Sequence, residues 1–566
     1  MKRKTVWVVV AVVAAIVLIP AAVFARGEKE VVAPELTTLT AEEMEAKRAA
    51  ELEEAVEIYE VMWAEERARL DELFADRPPM ALPITDEPVT VTWWMRFRDT
   101  HLMRNLGDSV MWRELMDRTG VTIRFTHPPI GEEVQAYTLM LAAGDYPDII
   151  QHEGGIEYPG GGDLAIEEGV YLRLNDLVRN HAPNYTHALA ALDPIRQALA
   201  TTAGGNMYAM YGFNTSIEGP WWGPIMRHDW LDQAGLAIPR TIDDWETALK
   251  TFRDQHDVEP LLLRNQGWDW AGTFISAYGI GPEFYLDNGV VKFGPIQPQY
   301  RQYLELMKSW WDQDLLERDF PTHDAGAYNA LASTGQVGTW INTTGSLTRF
   351  TEANYSDPSF RITGVPYPGL RPGDVVEFRQ VNWPGLNTSQ KVAITTANQH
   401  PELSVQLLDY GFTEDGYFLY NYGIEGVSYN FENGVPYMTE YLTENYYQVL
   451  ANFKQHTGMF LRNWYATPPL VSFRPIVSRA RDGVWMEAGS SLVLPPRTYP
   501  ADEARRRASL WSEIQTYTDE AVLQFITGAR PITDFDDFVA QVKNMGIAEL
   551  VEIEQAATDL YFAQLR

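Results

Sequence analysis

Tryptophan is the residue whose placement first suggests chemistry. Eighteen Trp, 28 Tyr and 23 Phe make 12% of the 566 residues aromatic. Trp221-Trp222, Trp268, Trp270, Trp340, Trp383 and Trp464 stand in Gly-, Pro- or Asn-rich surroundings where loops are expected. A flat ring on a loop can stack on the apolar C–H face of a saccharide, and its indole N–H can donate to a hydroxyl on the rim. Planar polar side chains complete such recognition, because Arg, Asp, Glu and Asn make fixed and often paired hydrogen bonds. Trp93, Trp94, Arg96, Glu153, Arg227, Asn342, Arg379, Glu425 and Tyr429 accompany the rings as candidate ligand contacts.

Most of these residues also have a plain structural reading. Alternation along a strand buries one of Trp93 and Trp94. Glu425, between Gly423 and Gly426, either faces a cleft near a hinge or satisfies nearby backbone N–H groups. Asp229 opens a helix and caps its own backbone, which leaves Arg227 as the ligand candidate of that pair. Trp310 and Trp311 lie on a long helix and are expected in a core. Asn342, Arg379 and Tyr429 each set a polar group near a ring.

Catalytic patterns are missing. The ten His form no H-E-x-x-H, and His181 and His187 are spaced wrongly for one helical face. No G-x-S-x-G elbow or Walker lysine occurs, and Gly160-Gly161-Gly162 is followed by neither Lys-Ser nor Lys-Thr, so it reads as a flexible loop. A glycosidase needs two carboxylates about 5–9.5 Å apart, and 77 acids leave such a pair open. A secreted glycosidase or polysaccharide lyase is therefore an alternative, as is a sugar sensor with no transport role. No catalytic residue, cofactor or metal is expected.

The elements that must position the candidates follow from pattern. Lys2, Arg3 and Lys4 precede an apolar run from Val6 to Ile19, and Val23-Phe24-Ala25 suits signal peptidase, so residues 1–25 read as a signal peptide or an uncleaved anchor. Residues 26–87 read as a charged helical spacer. From Thr40 to Ala75 there is no Gly or Pro, and twelve acids face four bases. Such a helix would reach about 50 Å, standing off the body or packed on its flank. Val89 to Met95 and Val121 to Thr126 then read as strands, and Ser109 to Thr119 and Glu132 to Ala143 as helices, the rhythm of a parallel sheet covered on both faces. Ligands of such sheets bind beyond the carboxyl ends of the strands. A second α/β rhythm runs from Trp221 to Asn342, and the chain beyond Glu402 is mainly helical in pattern.

Composition sets the limits. The net charge of −32 repels polyanions and excludes nucleic acid as a partner. It also disfavours uronic-acid ligands unless a local Arg such as Arg96, Arg227 or Arg379 overrules it. Zero cysteines exclude disulfides, thiol nucleophiles and a lipid-modified cysteine. The expected location is periplasmic or extracellular, not as a lipoprotein.

Several separated motifs resemble extracellular solute-binding proteins of ABC importers. They are Met111-Trp-Arg-Glu-Leu-Met-Asp-Arg-Thr-Gly-Val-Thr-Ile123, Leu141-Ala-Ala-Gly-Asp-Tyr-Pro-Asp-Ile-Ile150, Gly169 to Leu177 with His181-Ala-Pro-Asn184, and Arg227-His-Asp-Trp-Leu-Asp-Gln-Ala-Gly-Leu236 leading to Asp244. Asn421 to Tyr429, Phe525 to Gly528 and Gly546 to Gln555 continue the order. The match runs from about residue 89 to 561 and is most similar to the large carbohydrate-binding branch related to maltose-binding protein. The resemblance implies an α/β, two-lobed periplasmic-binding-protein-like fold with a hinge, an interlobe cleft and extra C-terminal helices. It implies a monomeric receptor that delivers an oligosaccharide to the transmembrane subunits of a permease. The expected lobes are 88–212 plus 390–425, and 213–389 plus 426–566. Many large members carry a calcium loop after the helix corresponding to Thr241–Asp254. Here Arg253-Asp-Gln-His-Asp-Val-Glu-Pro260 lacks the turn glycine and shortens the run of oxygen ligands, so no calcium is expected there.

Overall fold

Two mixed sheets, each with its own apolar core, organise the chain. The computed structural model describes residues 40–75, 77–97, 103–153, 156–192, 194–215, 220–264, 271–357, 359–379, 381, 385–439, 442, 460–462, 476–477 and 479–563. The first sheet contains β1 (Val89–Trp94), β2 (Val121–Thr126), β3 (Ile149–His152), β4 (Ala209–Asn214), β11 (Gly385–Ile394) and β14 (Leu461–Arg462), in the order β14-β4-β11-β3-β1-β2. The second contains β5 (Trp222–Arg227), β6 (Leu261–Leu262), β9 (Thr339–Thr343) and β10 (Ile362–Gly364), in the order β10-β5-β9-β6. Short hairpins pair β7 (Phe284–Asp287) with β8 (Val290–Phe293), and β12 (Tyr429–Glu432) with β13 (Val435–Met438).

Local sequence accounts for these elements. β2, Val-Thr-Ile-Arg-Phe-Thr, alternates strictly between buried and exposed, as expected of a strand with one face on a core. β5 is buried along its whole length, as a strand inside the sheet must be. Helix Val110–Thr119 opens on Ser109, whose hydroxyl accepts from the Trp112 N–H, and closes at Gly120 with φ 74°. A Cβ at Gly120 would also come within 2.5 Å of the Thr85 carbonyl oxygen, so both conformation and space require glycine. Helix Ile242–His256 begins with a capping box in which Thr241 and Asp244 satisfy each other's backbone N–H.

The chain passes from the first sheet to the second between Asn214 and Trp222, returns between Gly364 and Gly385, and leaves again after Arg462. β12, β13 and β14 were expected in the second lobe, yet Tyr429, Phe460 and Leu461 lie in the first core and β14 pairs in parallel with β4. The boundary at residue 426 is therefore too early. Aromatic packing of Tyr429 and Phe460 holds this stretch to the first body, and composition alone did not distinguish the two cores. The C-terminal helices Ala501–Thr527, Phe535–Asn544 and Ile547–Ala563 pack on the second core through Ile514, Phe525, Phe538 and Leu550.

The charged N-terminal segment is a helix, Ala41–Phe74, packed on the body rather than standing off it. Its second half grips the first body: Trp63 Nε1 donates to the Gly434 carbonyl at 2.8 Å and the Tyr59 hydroxyl to that of Pro436 at 2.6 Å. Glu66, 1% exposed, accepts from the hydroxyls of Thr215 and Tyr417. The first half touches the second body, where the Tyr355 hydroxyl donates to Glu51 at 2.7 Å and Arg479 to Glu54 at 3.2 Å. No described helix is long and apolar enough to cross a membrane, and residues 1–25, expected as a signal peptide or anchor, lie outside the described residues.

Candidate ligand-binding cleft

Seven residues of chain link an edge of the first sheet, at Asn214, to an edge of the second, at Trp222. In the first sheet this is the carboxyl edge, where the parallel strands β1, β3 and β4 end at Trp94, His152 and Asn214. In the second it is the edge carrying Trp222 at the start of β5, its pairing partner Thr343 at the end of β9, and Arg264 just beyond β6.

The first edge is rich in charge, and its charges are occupied. The Arg96 guanidinium donates twice to Glu133, at 2.8 and 3.0 Å, from beyond β1. Lys391 on β11, 5% exposed, pairs with Glu157 and lies 5.9 Å from the ring centroids of both Tyr208 and Tyr211. His152 Nδ1 lies 2.8 Å from the Ile156 carbonyl, which can only accept, so Nδ1 carries the proton and Nε2 accepts from Tyr171 at 2.9 Å. Tyr137 then donates to the Tyr171 oxygen at 2.5 Å. Burial, with Lys391 nearby, pushes the His152 pKa down to about 3, so this chain of hydrogen bonds is neutral at physiological pH. It fixes the end of β3, and with it Glu153, at the edge where the sequence placed it.

The second edge is an aromatic shelf. Trp221 is 36% exposed and meets Trp222 edge to face, with centroids 5.5 Å apart. The Arg264 guanidinium lies 4.9 Å from the Trp222 ring centroid and 5.8 Å from that of Tyr328. Tyr328 is fixed in turn, its hydroxyl donating to the Ile341 carbonyl at 2.7 Å and accepting from the Ile341 N–H at 3.2 Å. The Tyr367 hydroxyl donates to the Trp222 carbonyl at 3.3 Å. Such a surface can stack a ring and present a planar cation beside it.

Several expected contacts are placed elsewhere. Trp93 and Trp94 are both buried, at 4% and 5% exposure, because β1 is covered on each face: Trp93 packs on Trp112, and Trp94 on Tyr137. Trp340 is fully buried against Phe350, and its place in a central strand removes it from the platforms. Arg227 sits at the far end of β5, in a buried ion pair with Asp229, with the Trp230 and Phe360 rings beside it. Asn342 reaches the edge, but its amide is committed to the turn that opens helix Thr344–Ala353, accepting from Thr343 N and Ser346 Oγ and donating to Asn329. Arg379 donates to the Ala488 carbonyl at 2.8 Å, and burial lowers its pKa. Glu425 and Tyr429 line a separate groove of about 590 Å³ with Phe74, Arg77 and Met80. The segment carrying Arg77 and Met80 leads into the amino end of β1, opposite the cleft edge. Trp268, Trp270, Trp383 and Trp464 lie outside the described residues.

Arg264, Tyr328 and Lys391 are the edge residues the sequence reading missed. Arg264 follows the apolar run Leu261-Leu262-Leu263, and a cation directly after a buried strand was the available signal. After the helix Ile242–His256, Asp257 takes the left-handed conformation with φ 53°. Among the described residues no group of three or more acids or histidines is arranged to hold a metal ion.

The profile of the bacterial extracellular solute-binding protein family matches residues 110–417, more than half of the chain. The chain belongs to this family. Among its relatives, Lipoprotein LipO of Bacillus subtilis is 22% identical over 331 residues, covering 56% of this chain and 63% of LipO. The fructooligosaccharide ABC transporter substrate-binding protein FusA of Streptococcus pneumoniae is 23% identical over 331 residues, covering 54% of this chain and 57% of FusA. This chain therefore spans about three fifths of those two proteins. The polygalacturonan/rhamnogalacturonan-binding protein YtcQ of Bacillus subtilis is 22% identical over 461 residues, 78% of this chain and 87% of YtcQ. The structure of FusA with kestose superimposes with a TM-score of 0.70 at 18% identity, covering 84% of this chain and 99% of the other. The two-lobed α/β fold with extra C-terminal helices is thus shared.

The localisation expectation needs correction. A relative named as a lipoprotein conflicts with the exclusion of lipid attachment, and that exclusion is withdrawn. The absence of cysteine from the 566 residues is a fact of composition only.

Proposed function

We propose that this chain is the substrate-binding receptor of an ABC importer, capturing an oligosaccharide between its lobes and handing it, as a monomer, to the transmembrane subunits of a permease. The observation that carries this reading is the shelf of Trp221, Trp222, Tyr328 and Arg264 at the crossing between the sheets, in a chain of the solute-binding family. The names of FusA and YtcQ favour a saccharide over a peptide. The lobes we assign are 88–214 with 385–462, and 221–379 with 479–563. Ligand binds the closed arrangement better than the open one and so shifts the balance between them. The chain acts as a receptor and not as a glycosidase or lyase.

Intrinsic Trp fluorescence, titrated with a panel of plant, algal and host-glycan oligosaccharides, tests the proposal. A saturable change in emission with a rise in Tm is expected. A panel with no effect on either overturns the sugar reading, and shortened products after incubation support the enzymatic alternative instead.

A further inference from the structure

The inference rests on the receptor reading and names the class of sugar: we infer that the cleft takes an anionic oligosaccharide, one bearing carboxylates, and that Arg264 grips a carboxylate from its place on the Trp222–Tyr328 shelf. Three other cations of the two sheets and their edges are matched. Arg96 is held by Glu133, Lys391 by Glu157 and, at the far end of β5, Arg227 by Asp229. Arg264 differs from these three. Among the described residues it has no carboxylate within 4.0 Å and no hydrogen-bond acceptor, and its neighbours are two aromatic faces. In a chain with 77 acids and 45 Lys and Arg, such a cation at a strand end next to an exposed Trp calls for an anion from outside.

The geometry suits a carboxylate better than a hydroxyl. A guanidinium is a planar fork of N–H donors that matches the two oxygens of a carboxylate. The rings also fix the side chain in advance, so less motional freedom is lost when ligand arrives. Trp221, 36% exposed beside Trp222, offers a stacking face for the sugar ring that carries the acid. The net charge of −32 does not oppose this, because distant charges are screened beyond about 8 Å at physiological ionic strength and local geometry decides.

Calorimetric titration of the full chain with an oligogalacturonate, its methyl ester and neutral oligosaccharides of equal length tests the inference. The free acid is expected to bind at least about tenfold tighter than the ester, and more weakly as salt rises. Arg264→Gln should lose about ten- to a hundredfold in affinity for the acid while keeping its Tm, and Arg264→Lys should recover only part of the loss. Equal affinity for acid and ester in the wild-type chain overturns the inference whatever the variants do. Undiminished binding of the acid by Arg264→Gln removes Arg264 from the role. Binding of neutral sugars alone leaves the receptor reading intact and defeats the anionic one, whereas failure of every saccharide defeats the receptor reading itself.

Discussion

The two edges that meet at the crossing use charge in opposite ways. On the first, Arg96, Lys391 and His152 each have a partner inside the protein, so the edge is a finished surface whose shape is fixed before ligand arrives. On the second, Arg264 has two rings for neighbours and, among the described residues, no acid within 4.0 Å, and Trp221 keeps a third of its surface in solvent. The contrast shows that the number of polar residues at a cleft says little about where a ligand is held. What matters is which of those residues the fold has left without a partner.

Arg227→Ala should sharpen the contrast most. Removing the guanidinium leaves the Asp229 carboxylate buried without its ion-pair partner, though still accepting from the Arg361 N–H, an effect of about 3–5 kcal/mol on unfolding. Chemical denaturation should show that loss, while ligand affinity of the folded fraction stays at the wild-type level. A matching loss of affinity would return Arg227 to the cleft. Trp221→Ala should behave in the opposite way, with affinity down about tenfold by fluorescence or calorimetry and stability within about 0.5 kcal/mol.

Glu66 carries the comparison to the crossing itself. Burial raises its pKa against the pull of hydrogen bonds from Thr215 and Tyr417 and of the Arg69 charge. Its contribution to stability is therefore complete below the ordinary Glu range and is lost as pH rises through the raised folded value. Glu66→Gln should melt about 1–2 °C higher than wild type at neutral pH, and that advantage should vanish under acid conditions. Thermal melts across pH check the sign. Lys391→Met should have the smallest effect. An apolar side chain of similar length replaces a buried ammonium, so stability is close to neutral and affinity changes less than about threefold. A larger loss of affinity would show that the first edge is not finished after all.

Several periodic elements were legible in the sequence to within a residue or two, whereas the hairpins β7–β8 and β12–β13 and the short β14 were not. β2 occurs as read, and the helices at 110–119, 133–143 and 242–256 begin where Ser109, Glu132 and Thr241 placed them. Patterns of period two and 3.6, with caps, are local and can be read locally. The site was only partly legible, because what separates a platform from a core ring is tertiary. Trp221 and Trp340 look alike in sequence, yet one sits before a strand and the other in the middle of one. The pairing of Lys391 with Glu157 spans 234 residues, and no spacing rule announces it. Arg264 went unremarked because the rings beside it, Trp222 and Tyr328, are 42 and 64 residues away in sequence.

The helix Ala41–Phe74 is a rigid splint fastened unevenly. One end is set by buried groups, Tyr59, Trp63 and Glu66, and the other rests on Glu51, Glu54 and Lys47 at the surface of the second body. Any rotation of the second body about the crossing must slide across the lightly held end, since surface polar contacts of this kind contribute about 0–1 kcal/mol each. Were the two bodies to turn against each other, the splint would act as a soft brake on that travel, and dissolved salt would loosen it by screening the ion pair between Glu54 and Arg479.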